Sequence, residues 1–240
     1  MGDAKKKMGT VNIIMKKIYV LHGWAYSLNK WNEFGKLMKK NGFDVIFLET
    51  PGLTAESSEE WDLEKYSRWL EKKVGKSKVI LMGHSNGGRI ASYYAAINPK
   101  KVEKLILIDS AGIYRKDLYI RTKRFIFRSI AAVGKKITNS KRLKRLLYRL
   151  AGERDYLEAP DNMKKTMINL INADLTTAFR LIKTDTLIIW GRNDKVTPVS
   201  DGILIHKLIK GSRLEIINEA RHSPFFTHPK EVTEIIKNDF

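Results

Sequence analysis

Lys78-Val79-Ile80-Leu81-Met82-Gly83-His84-Ser85-Asn86-Gly87-Gly88 is the stretch on which the fold turns. Its first half is an apolar, β-branched run of strand length, and a helical pattern follows from Arg89 to Ile97. Between them lies Gly-x-Ser-x-Gly, so the serine falls on a sharp turn from strand to helix. Such a turn lifts a hydroxyl clear of a sheet. Gly83 and Gly87 let neighbouring backbones approach where a Cβ would clash, and the helix N-terminus beyond Ser85 favours negative charge nearby. The competing reading is a glycine-rich turn that only serves tight helix packing.

Outward from this turn, further strand-length runs stand at Lys17 to Leu21, Phe43 to Leu48, Lys104 to Ile108, Thr186 to Trp190 and Leu214 to Ile217. With Lys78 to Met82 they predict six strands. Helical stretches at Trp31 to Lys40, Glu59 to Val74 and Arg89 to Ile97 alternate with them, which is the pattern of a mostly parallel sheet covered on both faces. The alternation breaks from Ala111 to Lys183, where helical patterns occur without a convincing strand. The expected organisation is therefore a disordered tail over residues 1–10, an α/β core over 11–110 and 184–240, and an inserted helical cap over 111–183. Within the cap, Leu143, Leu146, Leu147 and Leu150 form one apolar stripe, with Asn139 or Ser140 as N-cap.

The chain of 240 residues carries 45 Lys and Arg against 26 Asp and Glu, a formal charge of +19. From Ala111 to Arg154 there are 14 basic residues against Asp117 and Glu153, so the basicity is concentrated in the expected cap. Charge of this size attracts anionic partners and says nothing about fold. Cysteine is absent, which excludes disulfides, thiolate metal sites and cysteine nucleophiles and permits a reducing compartment. No apolar run reaches the roughly 18–20 residues needed to cross a bilayer, and Val11 to Met15 is too short for a signal-peptide core. The expected location is cytoplasmic.

A serine hydroxyl is a poor nucleophile until a base takes its proton, and an acid must fix the tautomer and orientation of that base. Of the five histidines, His22 belongs to a different motif, and His84, beside Ser85, is expected to point elsewhere. His206 lies in a helical pattern, and His228 precedes Pro229 at the start of the last helix. His222, in the loop after the last strand, is the expected base. Asp194 follows the fifth strand and is the chosen acid, with Asp109 after the fourth strand as its rival and Asp201 as a solvated residue near a helix start. Ser85, Asp194 and His222 then form the candidate catalytic set. Two backbone N–H groups are required for an oxyanion: Asn86 supplies one, and Trp24 in His22-Gly23-Trp24 is the expected second. Otherwise Gly23 is only a turn glycine and Trp24 a core aromatic.

At VLHGWAYSLNKW (Val20 to Trp31), MGHSNGG (Met82 to Gly88), WGRNDKVTP (Trp190 to Pro198) and ARHSPFFTHP (Ala220 to Pro229), the chain resembles the α/β-hydrolase superfamily. Within it, the resemblance is to small capped carboxylesterases, which include the pimeloyl-acyl-carrier-protein methyl ester esterases. It covers Lys17 to Phe240 apart from the cap. Three departures stand out: only about sixteen residues precede the first strand, where many members have two more strands; Asn86 replaces a commonly apolar residue; and Arg221 replaces a small one. The resemblance implies a serine carboxylesterase acting on small or medium acyl esters through an acyl-enzyme, without metal or organic cofactor. One variant is a thioesterase, or an esterase that docks an acidic acyl-carrier protein on the basic cap. A reading from another class is a non-catalytic binder of anionic surfaces. No recognised nucleic-acid motif is present, so nucleic acid is not an expected partner.

Overall fold

The computed structural model of the chain describes residues 15–25, 27–114 and 160–240. The expected tail over 1–10 and the Leu143–Leu150 stripe lie outside the described residues.

The first half of the chain gives β1 (Lys16–Leu21), a 3₁₀ turn (Asn29–Trp31), α1 (Asn32–Lys40) and β2 (Phe43–Phe47), then α2 (Leu63–Val74), β3 (Val79–His84), α3 (Asn86–Ile97) and β4 (Val102–Ile108). From residue 160 onward come α4 (Asp161–Asn172), α5 (Thr176–Leu181), β5 (Asp185–Gly191) and α6 (Val199–Leu208), then β6 (Arg213–Ile217), α7 (Pro224–Thr227) and α8 (Pro229–Asn238). The six strands form one sheet in the order β2-β1-β3-β4-β5-β6, with every neighbouring pair parallel. This is the six-stranded α/β sheet that the sequence pattern predicts.

All six residues of β3 are buried, and its side chains alternate between two cores. Ile80 and Met82 join Ile18, Val20, Ile106 and Leu187 against Phe34 and Met38 of α1 and Val232 and Ile236 of α8. Leu81 joins Leu105, Leu107 and Ile188 against Leu70 of α2, Tyr94 of α3, Phe179 of α5 and Ile205 of α6. Burial on both faces is why the central strands read as continuous apolar runs without alternation.

Helix α2 begins at Leu63, later than the Glu59 expected. Asp62 is extended and its carboxylate accepts the N–H of Lys65 at 2.7 Å, which caps the helix there. The residues before it are tied to α4. Trp61 N–H donates to Thr166 Oγ1 at 2.8 Å, and Asn162 Nδ2 donates to the carbonyls of Ser57 and Glu59 at 2.9 and 3.0 Å.

Strand order places the site. After β1 the chain steps outward to β2 and then returns to the other side of β1 as β3. Loops leaving the carboxyl ends of β1 and β3 therefore diverge and leave a crevice between them. The segment His22-Gly23-Trp24 leaves one side of that crevice and Ser85 the other.

Candidate active site

Ser85 is the single residue between β3 and α3, and its backbone stands at φ 51°, ψ −117°. A non-glycine residue in this region costs on the order of 1–3 kcal/mol and persists only where its surroundings fix it. They do so here: Ser85 N–H donates to Ile108 O at 3.1 Å, while its carbonyl accepts from Arg89 N at 3.2 Å and Ala111 N at 2.9 Å. A Cβ on Gly87 would lie 2.0 Å from the carbonyl oxygen of Leu21, so only glycine lets α3 start beneath the end of β1. Asn86 opens α3, and its N–H is one of the donors that a helix N-terminus leaves without an intrahelical partner. Its side-chain oxygen accepts from Arg89 Nη1 at 3.2 Å.

The loops after β5 and β6 bring Asp194 and His222 to the same edge. His222 Nε2 is 3.0 Å from Ser85 Oγ, and His222 Nδ1 is 2.7 Å from Asp194 Oδ2. A carboxylate can only accept, so Nδ1 carries the proton and Nε2 is left to accept from the serine hydroxyl. Asp194 is buried and held by four donors in all: besides His222, the N–H groups of Val196 and Thr197 reach Oδ1 at 2.7 and 3.0 Å, and the Thr197 hydroxyl reaches Oδ2 at 2.7 Å. Burial works against its ionisation, but the His222 hydrogen bond and charge, with the Thr197 and Val196 donors, outweigh it and hold the pKa below the usual value.

Asp109, the rival acid, is turned to a different task. Its Oδ1 accepts the N–H of Gly191 at 2.8 Å, and burial together with the charge of Asp194 pushes its pKa up to about 8. Asp201 stands in the first turn of α6 as expected near a helix start, but it is buried where a solvated residue was expected.

Trp24 is half-buried and packs against Leu53 and Met163 of α4. The residue before it passes close to the elbow: a Cβ on Gly23 would be 2.9 Å from His84 Nδ1 and 3.1 Å from Ser85 Cβ. A relay of hydrogen bonds sets this loop. Thr50 N–H donates to Thr54 Oγ1 at 2.9 Å, Thr54 Oγ1 lies 2.9 Å from His22 Nε2, and His22 Nδ1 lies 2.8 Å from the Gly23 carbonyl. The carbonyl takes the ring's one proton, so Thr54 donates to Nε2. Burial lowers the His22 pKa despite that carbonyl, in keeping with a neutral ring.

Three contributors were missed in the sequence. Thr197 braces Asp194, His22 sets the loop that carries Trp24, and His84, expected to point elsewhere, reaches the carbonyl of His222 at 2.7 Å. His22 and His84 meet partners 32 and 138 positions away, where no local pattern marks them, whereas Thr197 stands three positions from Asp194 in the same loop. Among the described residues, His84, Asp109 and His222 bring potential metal-ligand atoms within 4.8 Å of one another. Hydrogen bonds already engage His84 Nε2 with the His222 carbonyl, Asp109 Oδ1 with the Gly191 N–H, and both His222 nitrogens with Asp194 and Ser85. Among the described residues no helix is long and apolar enough to cross a membrane.

Similarity to known proteins bears on the family and the fold. A family model described as alpha/beta hydrolase fold matches residues 17–147. The pimeloyl-[acyl-carrier protein] methyl ester esterase of Wigglesworthia glossinidia brevipalpis is 28% identical over 255 residues, covering 95% of this chain and 93% of that protein. A 2-hydroxy-6-oxononadienedioate/2-hydroxy-6-oxononatrienedioate hydrolase of Pseudomonas putida is 24% identical, covering 88% of this chain and 83% of that one. Among solved structures, the esterase EaEST of Exiguobacterium antarcticum superposes with a TM-score of 0.71 at 22% identity, covering 93% of this chain and 91% of the esterase. With the strand order, the strained serine turn and a family match over more than half its length, the chain belongs to the α/β-hydrolase fold family.

Proposed function

We propose that this chain is a serine carboxylesterase that cleaves small to medium acyl esters through an acyl-enzyme, with Ser85 as nucleophile, His222 as base and Asp194 as the acid that orients it. The observation that carries the reading is the unbroken series of contacts from Ser85 Oγ to His222 Nε2 at 3.0 Å and from His222 Nδ1 to Asp194 Oδ2 at 2.7 Å. In this reading Ser85 Oγ attacks the ester carbonyl carbon while its proton passes to His222 Nε2. The carbonyl π electrons move to oxygen, and the backbone N–H groups of Asn86 and Trp24 receive the oxyanion. Collapse expels the alcohol, which takes the proton from His222. Water then attacks the acyl-enzyme by the same route and frees the acid. Asp194 stays ionised throughout and stabilises the imidazolium.

The test is hydrolysis of p-nitrophenyl acetate and butyrate by the wild type and by Ser85→Ala. Loss of the nucleophile should cost several orders of magnitude in kcat. Equal rates for the two proteins would remove the proposal.

Residues 111–183 are proposed to cap this site. Support comes from α4, whose Met163 packs with Leu53 against Trp24, and whose Asn162 and Thr166 bind the loop before α2. A second reading gives the cap a partner: an acyl ester carried on an acidic carrier protein. It is favoured by the 14 basic residues between Ala111 and Arg154 and by the name of the Wigglesworthia relative. Activity on a carrier-linked ester should then fall steeply with salt while activity on a neutral ester changes little. A flat response on both esters would count against it.

A further inference from the structure

His84 precedes the strained serine and takes no part in the proton path, yet its ring is held more tightly than its sequence position suggests. It is 7% exposed and boxed by aromatic rings: Phe225 stands edge-on at 4.9 Å, Trp31 at 6.0 Å, and the ring of His222 lies 4.9 Å away. The side facing Gly23 is closed as well, since a Cβ there would sit 2.9 Å from Nδ1. In this packing Nε2 lies 2.7 Å from the carbonyl oxygen of His222.

A carbonyl oxygen accepts and cannot donate, so the proton of His84 must sit on Nε2. The ring is neutral: burial first, and then the charge of His222, push its pKa down to about 3. Neutrality matters because a second positive ring 4.9 Å from His222 would oppose the imidazolium that forms during catalysis.

His222 lies in the loop between β6 and α7, outside any strand ladder. Small displacements of its backbone would swing the ring tip away from Ser85 Oγ. His84, by contrast, ends β3, the strand that leads directly into the nucleophile. We propose that His84 is a positioning residue, whose Nε2–H holds the carbonyl of His222 and so fixes the base at a set distance from the serine next to it. The inference rests on the reading of Ser85 and His222 as nucleophile and base. It explains why an element with no catalytic atom of its own is both caged by rings and bonded across 138 positions of sequence.

Two measurements test it. In the native protein, ¹⁵N-labelled at histidine, long-range ¹H–¹⁵N spectra read the tautomer of each ring. His84 should be neutral with its proton on Nε2 between pH 6 and 8; a proton on Nδ1, or a charged ring at pH 7, would overturn the proposal. The second measurement compares His84→Gln with His84→Asn. The glutamine amide nitrogen reaches the place of Nε2, whereas the asparagine amide, one methylene shorter, does not.

Rates are read on p-nitrophenyl butyrate per mole of fluorophosphonate-titrated site, so that misfolded protein does not count. His84→Gln should stay within about 3-fold of wild-type kcat, and His84→Asn should lose about 10- to 100-fold in kcat with KM changed less than about 2-fold, because a base displaced by an ångström costs rate and leaves binding intact. Equal kcat for the two variants would overturn the proposal, as would a fall in melting temperature without a fall in kcat per titrated site. Ser85→Ala, which offers no site to titrate, is run alongside and its rate read per mole of folded protein. If it is inactive while Gln and Asn variants match, the positioning role fails and the triad reading stands; if it is fully active, both fail together.

Discussion

The N–H of Gly191, the last residue of β5, donates to Oδ1 of Asp109 at 2.8 Å, and this bond ties the ends of β4 and β5 beneath the loop that carries Asp194. Asp109 is fully buried, stands at φ 42°, and its other carboxyl oxygen has no hydrogen-bond partner. Burial, and then the neighbouring charge of Asp194, push its pKa up from the ordinary carboxylate range to about 8. A group whose pKa is raised by folding lends stability that is fully present below the unfolded value and is lost as pH rises through the folded one. Asp109→Asn keeps the acceptor for Gly191 without the titration. The variant should match the wild type near pH 4 and exceed it at pH 8, by about 1 kcal/mol or more, seen as ~2–4 °C or more in Tm. Thermal melts across this range check it; a gap of the same size at both ends would contradict the assignment.

The strain at Ser85 gives a second expectation. Ser85→Ala keeps a Cβ at φ 51°, whereas Ser85→Gly removes it. Both lose activity. Release of about 1–3 kcal/mol of strain is offset in part by the greater freedom of glycine in the unfolded chain, so the glycine variant should be the more stable by roughly 1 kcal/mol. Urea denaturation of the two inactive proteins decides this, and a more stable alanine variant would refute the strain.

Acid should destabilise the fold through its buried histidines. Burial lowers the pKa of His22, and burial with the charge of His222 lowers that of His84 to about 3. A base with a depressed folded pKa lends stability present above its unfolded value, here 6.5, and lost as pH falls towards the folded one. Stability should therefore decline from near neutrality down to about pH 3, and His84→Gln should decline less steeply. Identical slopes for the two proteins between pH 7 and pH 4 would rule the His84 contribution out.

Removing the acid should cost more than loosening it. Asp194→Asn presents an amide where His222 Nδ1–H needs an acceptor, and kcat should fall by about 10³–10⁴-fold. Thr197→Val removes one hydrogen bond to Asp194 Oδ2, of 2.7 Å, and leaves the carboxylate in place. Its kcat should fall only about 3- to 10-fold, the equivalent of roughly 1 kcal/mol for one hydrogen bond. Steady-state kinetics on one p-nitrophenyl ester compare them, and a larger loss in the threonine variant would reverse this order of roles.

The central strands were legible in the sequence because burial on both faces left runs such as Val79 to Met82 without polar interruption. Their ends were less so: β3 continues through Gly83 and His84, which strand propensity disfavours, because β4 pairs with it to His84↔Ile108. Likewise the start of α2 was set by the Asp62 cap and by contacts to Thr166, a partner 105 positions from Trp61. Ser85, Asp194 and His222 could be chosen from motif and chain order, since each follows a strand end at the same edge. What separates Asp194 from Asp109 physically is partly local and partly tertiary: Val196 and Thr197 brace Asp194 from two and three positions away, whereas Asp109 is engaged by the N–H of Gly191, 82 positions away. The bracing by His22 and His84 was invisible because its partners are distant in sequence, and the residues with the highest density of positive charge lie outside the described part of the chain.

Fluorophosphonate labelling followed by peptide mass mapping tests most directly whether Ser85 is the nucleophile that His222 activates. The expected result is one adduct per chain, on Ser85, formed at least about 100-fold more slowly in His222→Ala. An adduct on a different residue, or labelling of His222→Ala at the wild-type rate, would contradict it.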